Sequence, residues 1–356
     1  MTVACVMGID NGDEGKAKVC DYLMEWFDIS ARHCGGSNAG HSVWVGGKKY
    51  VTHMLPTSIL RPGKISVITA GVVVNIDIVK KDLEMVGKTI NDEDVLIDAK
   101  CPIVTIEHIE RDSGAESKRL GTTNQGVGPC NADQVNRVGK RYGDFSRKAV
   151  DTGAYLRYCI NRGYNVLFEG AQGHQLDLIH GTYPFVTSAC ITVGSIFTNA
   201  GIPPKMLNDV YGVFKAYSTK VGTGPFPTEE KGQLGEYIRE KGEEFGATTG
   251  RPRRIGWLDL VQIKEACEIN GVNYLVMTKA DILDGLASFP VATDRDLKGN
   301  PIYKEVKGWS KPIADLTDYN KLPKELIEFM SLIERKVGVP ITLLSTGRER
   351  TSMVRI

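Results

Sequence analysis

Short apolar runs that stop at polar or glycine-rich turns recur along this chain. The run at residues 3–7 meets such a turn, and apolar positions at helical spacing follow within residues 18–27. This opening predicts a strand, a loop and a helix. Similar β-rich runs lie at residues 65–69, 95–97, 165–168, 210–214, 274–277 and 341–344. Strands that end in such loops predict a mainly parallel sheet with ligand sites at its carboxyl ends.

Two later helices are predicted from an apolar face and a terminator. Residues 258–269 have helical spacing, and Asn270 and Gly271 after them favour a left-handed helix end. A second helix has Pro323 at its first position and ends at Gly338. No repeat, low-complexity tract or linker divides the chain. It is therefore one large α/β unit or two closely merged ones.

Composition and charge exclude several classes of function. Lys and Arg (44) nearly balance Asp and Glu (43), so no overall field attracts nucleic acid or an anionic membrane. The eight cysteines are scattered, which predicts reduced thiols and neither disulfides nor a zinc site. No apolar stretch approaches the roughly 18 residues that span a bilayer. We therefore expect a cytoplasmic protein that binds neither nucleic acid nor membrane.

The first candidate phosphate loop is GDEGK at residues 12–16, between a predicted strand and helix. Its backbone N–H groups and Lys16 suit a phosphate. It is not a Walker A loop, because in the whole segment 8–18 the two landmark glycines, Gly8 and Gly15, are too far apart and Ala17 stands where a Mg²⁺-binding hydroxyl is needed. Asp13 is then the nearest metal ligand. The alternative is a glycine-rich turn with a solvated acidic pair.

Two further glycine-rich loops carry candidate ligands. In residues 35–42, His41 is suited to donate a proton or a hydrogen bond to phosphate, although a lone His after Gly is more often structural. Residues 121–129 offer hydroxyls and amides that fit a monophosphate, and Arg137 downstream offers a bidentate clamp. The alternative there is a turn followed by a solvated basic face.

Three other segments could recognise a base or an acid. Residues 168–173 and 180–187 supply amides and hydroxyls but no nucleophile. Residues 248–254 place three arginines beside two threonines, as a dicarboxylate substrate would require. Lys279 and Asp281 follow a predicted strand, where a Lys stem could cover a purine and a carboxylate could accept from guanine. The last pair is a weak signal on its own.

Taken together and in this order, these segments resemble the adenylosuccinate synthetase family. The resemblance rests on GDEGK (12–16), NAGH (38–41), a Thr-rich loop (121–129), FEGAQG (168–173), HGTYPFVTS (180–188), KAYSTKVGTGPFPTE (215–229), TTGRPRRIGWLD (248–259), TKAD (278–281) and STG (345–347). It spans essentially the whole chain. It implies one domain over residues 1–356, an α/β fold with a mixed, mainly parallel central sheet flanked by helices, a homodimer, and a Mg²⁺-dependent carbon–nitrogen ligase.

The resemblance also implies roles for individual residues. Asp13 would remove the purine N1–H proton, His41 and Mg²⁺ would stabilise the transferring phosphoryl group, and Gln172 would hold the 6-position. Asp13 and the Gly40 carbonyl would bind Mg²⁺. The other expected contacts are Asn38, Thr122, Thr123, Gln172, Thr187, Val221, Arg251 and a partner subunit's Arg137 for the purine monophosphate; Thr248, Thr249, Arg251 and Arg253 for L-aspartate; and Asn11, Gly12, Glu14, Gly15, Lys16, Gly40, His41, Arg253, Lys279, Asp281, Ser345 and Gly347 for the triphosphate.

Departures from the family pattern bear on the substrates. The segment between Asp144 and Asn165 is short, as in compact archaeal and phage members. The residues that differ from the usual ones are Asn11 (Trp), Ala17 (Gly), Asn124 and Gln125 (Gly-Arg), Ala189 to Ile191 within a TSSNTT run, and Gly347 with Arg348 (Gly-Pro). They cluster around the acceptor purine, its phosphate and the donor base.

We therefore favour dGMP with ATP or dATP as substrates, as in the phage branch that serves 2-aminoadenine DNA in the host cytoplasm. Guanine has the same N1–H and 6-oxo group as hypoxanthine, so the mechanism carries over. IMP with GTP is the alternative, supported by Asp281 and the retained Asp13. A non-catalytic nucleotide-binding protein is a third, more remote possibility.

Overall fold

A computed structural model describes residues 1–246 and 250–356. The strands are β1 (Val3–Gly8), β2 (Ile29–Arg32), β3 (His41–Val45), β4 (Lys48–Thr52), β5 (Ile65–Ile68), β6 (Val95–Ile97), β7 (Val166–Gly173), β8 (Asp209–Lys215), β9 (Ser218–Lys220), β10 (Arg254–Gly256), β11 (Tyr274–Thr278), β12 (Ser288–Arg295), β13 (Pro301–Lys307), β14 (Ile341–Ser345) and β15 (Met353–Arg355). The helices are α1 (Lys16–Leu23), α2 (Ile76–Glu84), α3 (Ile106–Arg111), α4 (Ala115–Leu120), α5 (Val127–Val135), α6 (Thr152–Asn161), α7 (Gly194–Asn199), α8 (Gln233–Gly242), α9 (Leu260–Asn270) and α10 (Lys324–Val337).

Within these described ranges, a nine-stranded sheet has the order β15-β14-β11-β8-β1-β7-β2-β5-β6. Its neighbouring strands pair in parallel, except that β15 runs antiparallel to β14. The two-stranded pairs β3–β4, β9–β10 and β12–β13 lie outside it. The predicted α/β fold with a mixed, mainly parallel sheet is therefore confirmed.

Strand β1 shows why the predicted runs are apolar throughout. Ala4 and Val6 pack into a core on the face covered by α1, whereas Cys5 and Met7 pack into the larger core on the opposite face. Both faces of the sheet are thus buried, as parallel sheets require. The larger core contains the apolar faces of α6, α9 and α10.

Helix boundaries differ from the predictions where a cap or a chain reversal decides them. Helix α1 ends at Leu23, before residue 27, because the chain turns back to enter β2. Helix α9 begins at Leu260, after Leu258, because the Asp259 side chain accepts from Gln262 N at 3.3 Å and caps it. Pro323 is the N-cap of α10, one position before its predicted place.

The FEGAQG segment belongs to β7, which extends well beyond the predicted residues 165–168. The β1–β7 register shifts between Val6 and Gly8, and Gln172 has a positive φ of 60°. This irregularity changes the direction of the strand's end, as bulges commonly do. The polar end of β7 therefore belongs to the sheet and still reaches the strands' carboxyl edge.

All eight cysteines are free thiols in the structure. In the described part of the chain, no helix is long and apolar enough to span a bilayer.

Candidate active site

A cleft of about 720 Å³ lies where β1, β7, β11 and β14 end. The carboxyl ends of parallel strands meet there, which is the usual ligand site of such sheets. The residues predicted from sequence that line it are Asn11, Gly12, Asp13, Gly15, Lys16, Asn38, Gly40, His41, Thr122, Thr123, Gln172, Thr187, Val221, Arg253, Lys279, Asp281, Ser345 and Gly347. Segments from all parts of the chain therefore converge on one site.

Three of the predicted residues that the structure describes, Glu14, Arg137 and Arg251, stand apart from that lining. Glu14 is fully buried beneath the phosphate loop. Arg137 is exposed beyond the end of α5. The Arg251 guanidinium donates to the Gly121 carbonyl at 3.2 Å, which connects two loops beside the cleft. Thr248 and Thr249, expected to bind aspartate, lie outside the described residues.

The phosphate loop is organised around the Glu14 carboxylate. It accepts from Gly12 N at 2.9 Å and from Lys16 Nζ at 2.6 Å. Gly12 and Gly15 have positive φ values of 93° and 87°, so both need the conformational freedom of glycine. Glu14 therefore positions the loop at the start of α1, where backbone N–H groups favour an anion.

Lys18, on the first turn of α1, ties that helix to the C-terminal segment. Its Nζ donates to Ser345 Oγ at 2.8 Å, to Gly347 O at 2.7 Å and to Ser352 O at 2.8 Å. Burial lowers the Lys18 pKa to about 8, against the raising effect of Asp281. A single ammonium group thus connects the phosphate loop's helix to residues predicted to contact the donor nucleotide.

His41, on β3, is fixed by the buried carboxylate of Glu169 on β7. Its Nδ1 is hydrogen-bonded to Glu169 Oε1, and Glu169 Oε2 accepts from both Thr57 N and Thr57 Oγ1 at 2.9 Å. Among the described residues, His41 Nε2 has no hydrogen-bond partner. The ring is therefore held in one orientation and keeps one nitrogen for a ligand.

Burial and the positive charge of Arg32 lower the pKa of His41, against the opposing effect of Glu169. Burial raises the pKa of Glu169, but the charges of His41 and Arg32 reverse that effect and hold it below its usual value. The Arg32 guanidinium is fully buried, and within the described ranges two of its nitrogens lack a partner. It is a fixed positive charge behind the His41–Glu169 pair.

Two amide side chains in the cleft also keep unused oxygen atoms. Gln172 Oε1 and Asn38 Oδ1 are buried, and no described residue donates to either atom. Buried polar atoms are normally hydrogen-bonded, so their oxygens are matched to a ligand or to water. Their placement agrees with the predicted contacts to a purine 6-position and a monophosphate.

Asp13 and Arg253 meet across the cleft. Asp13 Oδ2 lies 2.9 Å from Arg253 Nε, and Arg253 Nη1 donates to Glu244 Oε2 at 2.6 Å. Asp13 has a positive φ of 59°. Its side chain lines the cleft, whereas the side chain of the next residue, Glu14, is fully buried. The expected general base therefore lies beside one of the arginines expected to bind aspartate.

The loop at residues 121–129 is supported from below by Asp112. Its carboxylate accepts from Thr122 Oγ1 at 3.1 Å and from Gly126 N at 2.9 Å. Gly126 has a positive φ of 72° and precedes α5, so the loop ends at a helix N-terminus. This arrangement suits a phosphate group.

Asp177 holds both ends of the segment that carries Thr187. Its Oδ1 accepts from Ile179 N at 2.9 Å and His180 N at 3.0 Å, and its Oδ2 accepts from Ile191 N at 2.6 Å and Thr192 N at 3.2 Å. Burial raises the Asp177 pKa, but these four N–H groups outweigh it and place the pKa below its usual value.

We expect Asp177→Asn to lower the free energy of unfolding by about 2 kcal/mol or more at pH 7, because the amide nitrogen cannot accept two of the four bonds. Urea unfolding measures the loss, with the exposed Asp77→Asn as control. The wild type's advantage should be complete above the unfolded pKa of Asp, about 4, and should disappear as pH falls through the lower folded pKa. A difference that is constant down to pH 2 would contradict this origin.

The chemistry of the site fits Mg²⁺. In residues 1–246 and 250–356, no group of three or more His, Cys, Asp or Glu side chains could hold a metal. Mg²⁺ is usually held by one or two carboxylates together with substrate phosphates, so a cage is not required. Asp13 supplies a carboxylate beside the phosphate loop, and Gly40 lines the same cleft.

Several supporting residues were not predicted from the sequence. Glu169 lies inside the FEGAQG segment, but no role was predicted for its carboxylate, because its contact with His41, 128 positions earlier in the chain, forms only in the folded protein. Lys18 contacts a residue 334 positions away, and Glu244 has partners 29 and 27 positions earlier in the chain, so spacing gives no signal for them. Arg32 is the last residue of β2, which was not recognised as a strand.

Comparisons with known proteins agree with this geometry. A model of the adenylosuccinate synthetase family matches residues 5–150 and 145–354. The adenylosuccinate synthetase of Caldanaerobacter subterraneus subsp. tengcongensis is 36% identical over 99% of both chains, and that of Proteus mirabilis is 36% identical over 98% of this chain and 97% of its own. The two alignments run over 423 and 420 positions, so these relatives carry segments that this chain lacks.

Solved structures support the same relationship. Fully ligated adenylosuccinate synthetase from Plasmodium falciparum superposes with a TM-score of 0.96 at 32% identity over all of both chains. Cyanophage S-2L succinoaminodeoxyadenylate synthetase, bound to dGMP and dATP, has a TM-score of 0.77 at 20% identity over 99% of this chain and 95% of its own, which shows a common fold. The chain therefore belongs to the adenylosuccinate synthetase family of carbon–nitrogen ligases that use GTP or ATP.

Proposed function

We propose that this protein joins L-aspartate to C6 of a 6-oxopurine nucleotide, with IMP as acceptor and GTP as donor. The observation that carries the proposal is the convergence of Asp13, His41, Gln172 and Arg253 on one cleft that also contains the phosphate loop. These residues supply a base, a hydrogen-bonding group at the phosphoryl position, a ligand for the 6-position and a cation for a carboxylate.

The residues divide the reaction into two steps. Asp13 takes the N1–H proton, and the 6-oxygen then attacks the γ-phosphorus, so that the nucleoside diphosphate leaves. Next, the amine of aspartate attacks C6, phosphate leaves, and the amine's excess proton returns to solvent. His41, oriented by Glu169, hydrogen-bonds the phosphoryl group through Nε2. When bound at Asp13 and the Gly40 carbonyl, Mg²⁺ neutralises charge on the transferring phosphoryl oxygens.

The choice of IMP and GTP is supported by the relatives and by one side chain. Adenylosuccinate synthetases are 36% identical to this chain over nearly their full length, whereas the cyanophage enzyme is 20% identical. Asp281 lines the cleft close to Lys279 and Ser345, where its carboxylate can accept from a guanine donor.

Conversion of dGMP with ATP is the second candidate. It is favoured by Arg348, which lines the cleft, pairs with Glu243 at 2.7 Å and lies 5.7 Å from the Trp44 ring centroid. This side chain stands where the family usually has Pro, so the surroundings of the donor base differ from the common pattern.

The test is Mg²⁺- and aspartate-dependent phosphate release by the purified protein, with IMP, GMP and dGMP each combined with ATP, dATP and GTP. Turnover with IMP and GTP is the expected result. Turnover confined to dGMP with an adenine donor would replace it by the second candidate. Tight nucleotide binding without aspartate-dependent release would exclude both.

A homodimer in which Arg137 completes the partner's monophosphate site is also proposed. Arg137 is exposed outside its own cleft, and Val135 and Val138 beside it are 78% and 70% exposed. Such exposed apolar residues favour cover by another surface. We expect Arg137→Leu to raise the KM for IMP at least roughly tenfold with a smaller change in kcat, since a bidentate phosphate contact is lost. A monomer in sedimentation at assay concentration would contradict the proposal.

A further inference from the structure

A buried cluster of charged side chains lies behind the Asp13–Arg253 pair. Glu244 is fully buried, as are Lys215 and Tyr217. Its carboxylate accepts from Lys215 Nζ at 3.2 Å, from Tyr217 OH at 2.6 Å and from Arg253 Nη1 at 2.6 Å. Three donors, two from residues 215–217 and one from Arg253, thus converge on one carboxylate.

Glu244 and Arg253 are also paired through their backbones. Arg253 N donates to Glu244 O at 2.9 Å, and Arg239 Nε donates to Arg253 O at 2.9 Å. The two residues close the base of the segment that carries Thr248, Thr249 and Arg251. Glu244 and Arg253 are therefore joined by both a side-chain and a backbone hydrogen bond, which hold the two ends of that segment together.

We propose that Glu244 is a positioning residue that holds Arg253 in place to receive the carboxylate of the incoming L-aspartate. The inference rests on the proposed function. It adds that the position of Arg253 in the aspartate subsite depends on Glu244, a residue that touches no substrate. Lys215 and Tyr217 support Glu244, and Glu244 in turn supports Arg253. Arg253 is the member of the cluster that lines the cleft.

Charge explains why the position needs a carboxylate. Lys215 and Arg253 both contact Glu244, so without its negative charge two buried cations would repel each other. Burial raises the pKa of Glu244, but Lys215, Lys279 and Arg253 reverse this and lower it to about 2. The Glu244 carboxylate is therefore ionised at neutral pH. Its negative charge keeps the Arg253 side chain beside Asp13, facing the cleft.

The experiment compares Glu244→Gln, Glu244→Asp and Tyr217→Phe with the wild type, and uses the exposed Glu240→Gln on α8 as a matched control. We expect Glu244→Gln to raise the KM for L-aspartate roughly tenfold or more, with the KM for the acceptor within about threefold, because Arg253 is expected to contact aspartate and the triphosphate but not the acceptor. Glu244→Asp retains the charge and should lie between wild type and Glu244→Gln. Tyr217→Phe should raise the same KM about two- to fivefold, since one hydrogen bond is lost.

The outcomes separate the inference from the proposed function. Wild-type turnover combined with an unchanged aspartate KM in Glu244→Asp and Tyr217→Phe would overturn the inference alone, and so would an equal rise in all three KM values. If Glu244→Gln does not fold, the other two variants still decide the question. A wild type without aspartate-dependent turnover would overturn the proposed function and this inference with it.

Discussion

Replacing Asp13 by Asn is expected to lower kcat about a thousandfold, within the range usual for loss of a general base. The amide retains the shape of the carboxylate but cannot take the purine N1–H proton, and it also weakens the contact to Mg²⁺. The 2.9 Å contact with Arg253 shows that the carboxylate is already directed into the cleft. Phosphate release at saturating substrates measures the effect.

The exposed Asp77→Asn serves as the control for this substitution, because Asp77 lies on α2, far from the cleft lining. Its kcat should equal that of the wild type. Asp13→Asn activity within tenfold of the wild type would remove Asp13 as the base. The carboxylate at this position would then serve mainly as the ion-pair partner of Arg253.

The second large effect is expected for His41→Asn, with kcat lowered about one hundred- to one thousandfold, as for loss of a preorganised hydrogen bond to a charged transition state. Glu169 and Thr57 hold the ring so that Nε2 is left for the phosphoryl group. Because the contact is to the phosphoryl group, the KM for aspartate should stay within about threefold.

His53→Asn is the matched control for the His41 variant, since His53 lies outside the cleft lining and is partly exposed. It should leave kcat unchanged. A His41→Asn enzyme that keeps its kcat but needs more triphosphate would show that His41 binds the donor and does not act on the transition state.

Much of the fold follows from local patterns in the sequence. The apolar runs of β1, β8, β11 and β14 are buried on both sides, so they are strongly marked, and Gly271 and Gly338 end helices with positive φ values of 59° and 83°. The β12–β13 hairpin was missed although Gly299 lies in its turn, because much of β13 is exposed and its pattern is polar. The short β2 was missed for another reason: it is fully buried, but two of its four residues, Ser30 and Arg32, are polar.

The site was predictable where a residue directly follows a strand. Lys279 was identified in this way, since parallel strands bring their carboxyl ends together, whereas Ser345 was expected only from the family resemblance. Glu244 was not predicted, because its partners Lys215 and Tyr217 lie 29 and 27 positions earlier in the chain. Contacts between distant buried charges depend on the complete fold, and no spacing rule reports them.

The three hydrogen bonds of Lys18 bear on how donors are discriminated. They join the helix behind the phosphate loop to Ser345 and to the backbone of residues 347 and 352. Ser345 and Gly347 are expected to contact the donor base, so these bonds would hold the base end of the donor subsite at a fixed distance from the phosphate loop. A bound donor with the wrong base would then still present its γ-phosphorus at the same point. We therefore expect the enzyme to discriminate among donors by their dissociation rates. A poorly matched triphosphate should dissociate sooner, but while it is bound it should react at the same rate as a matched one.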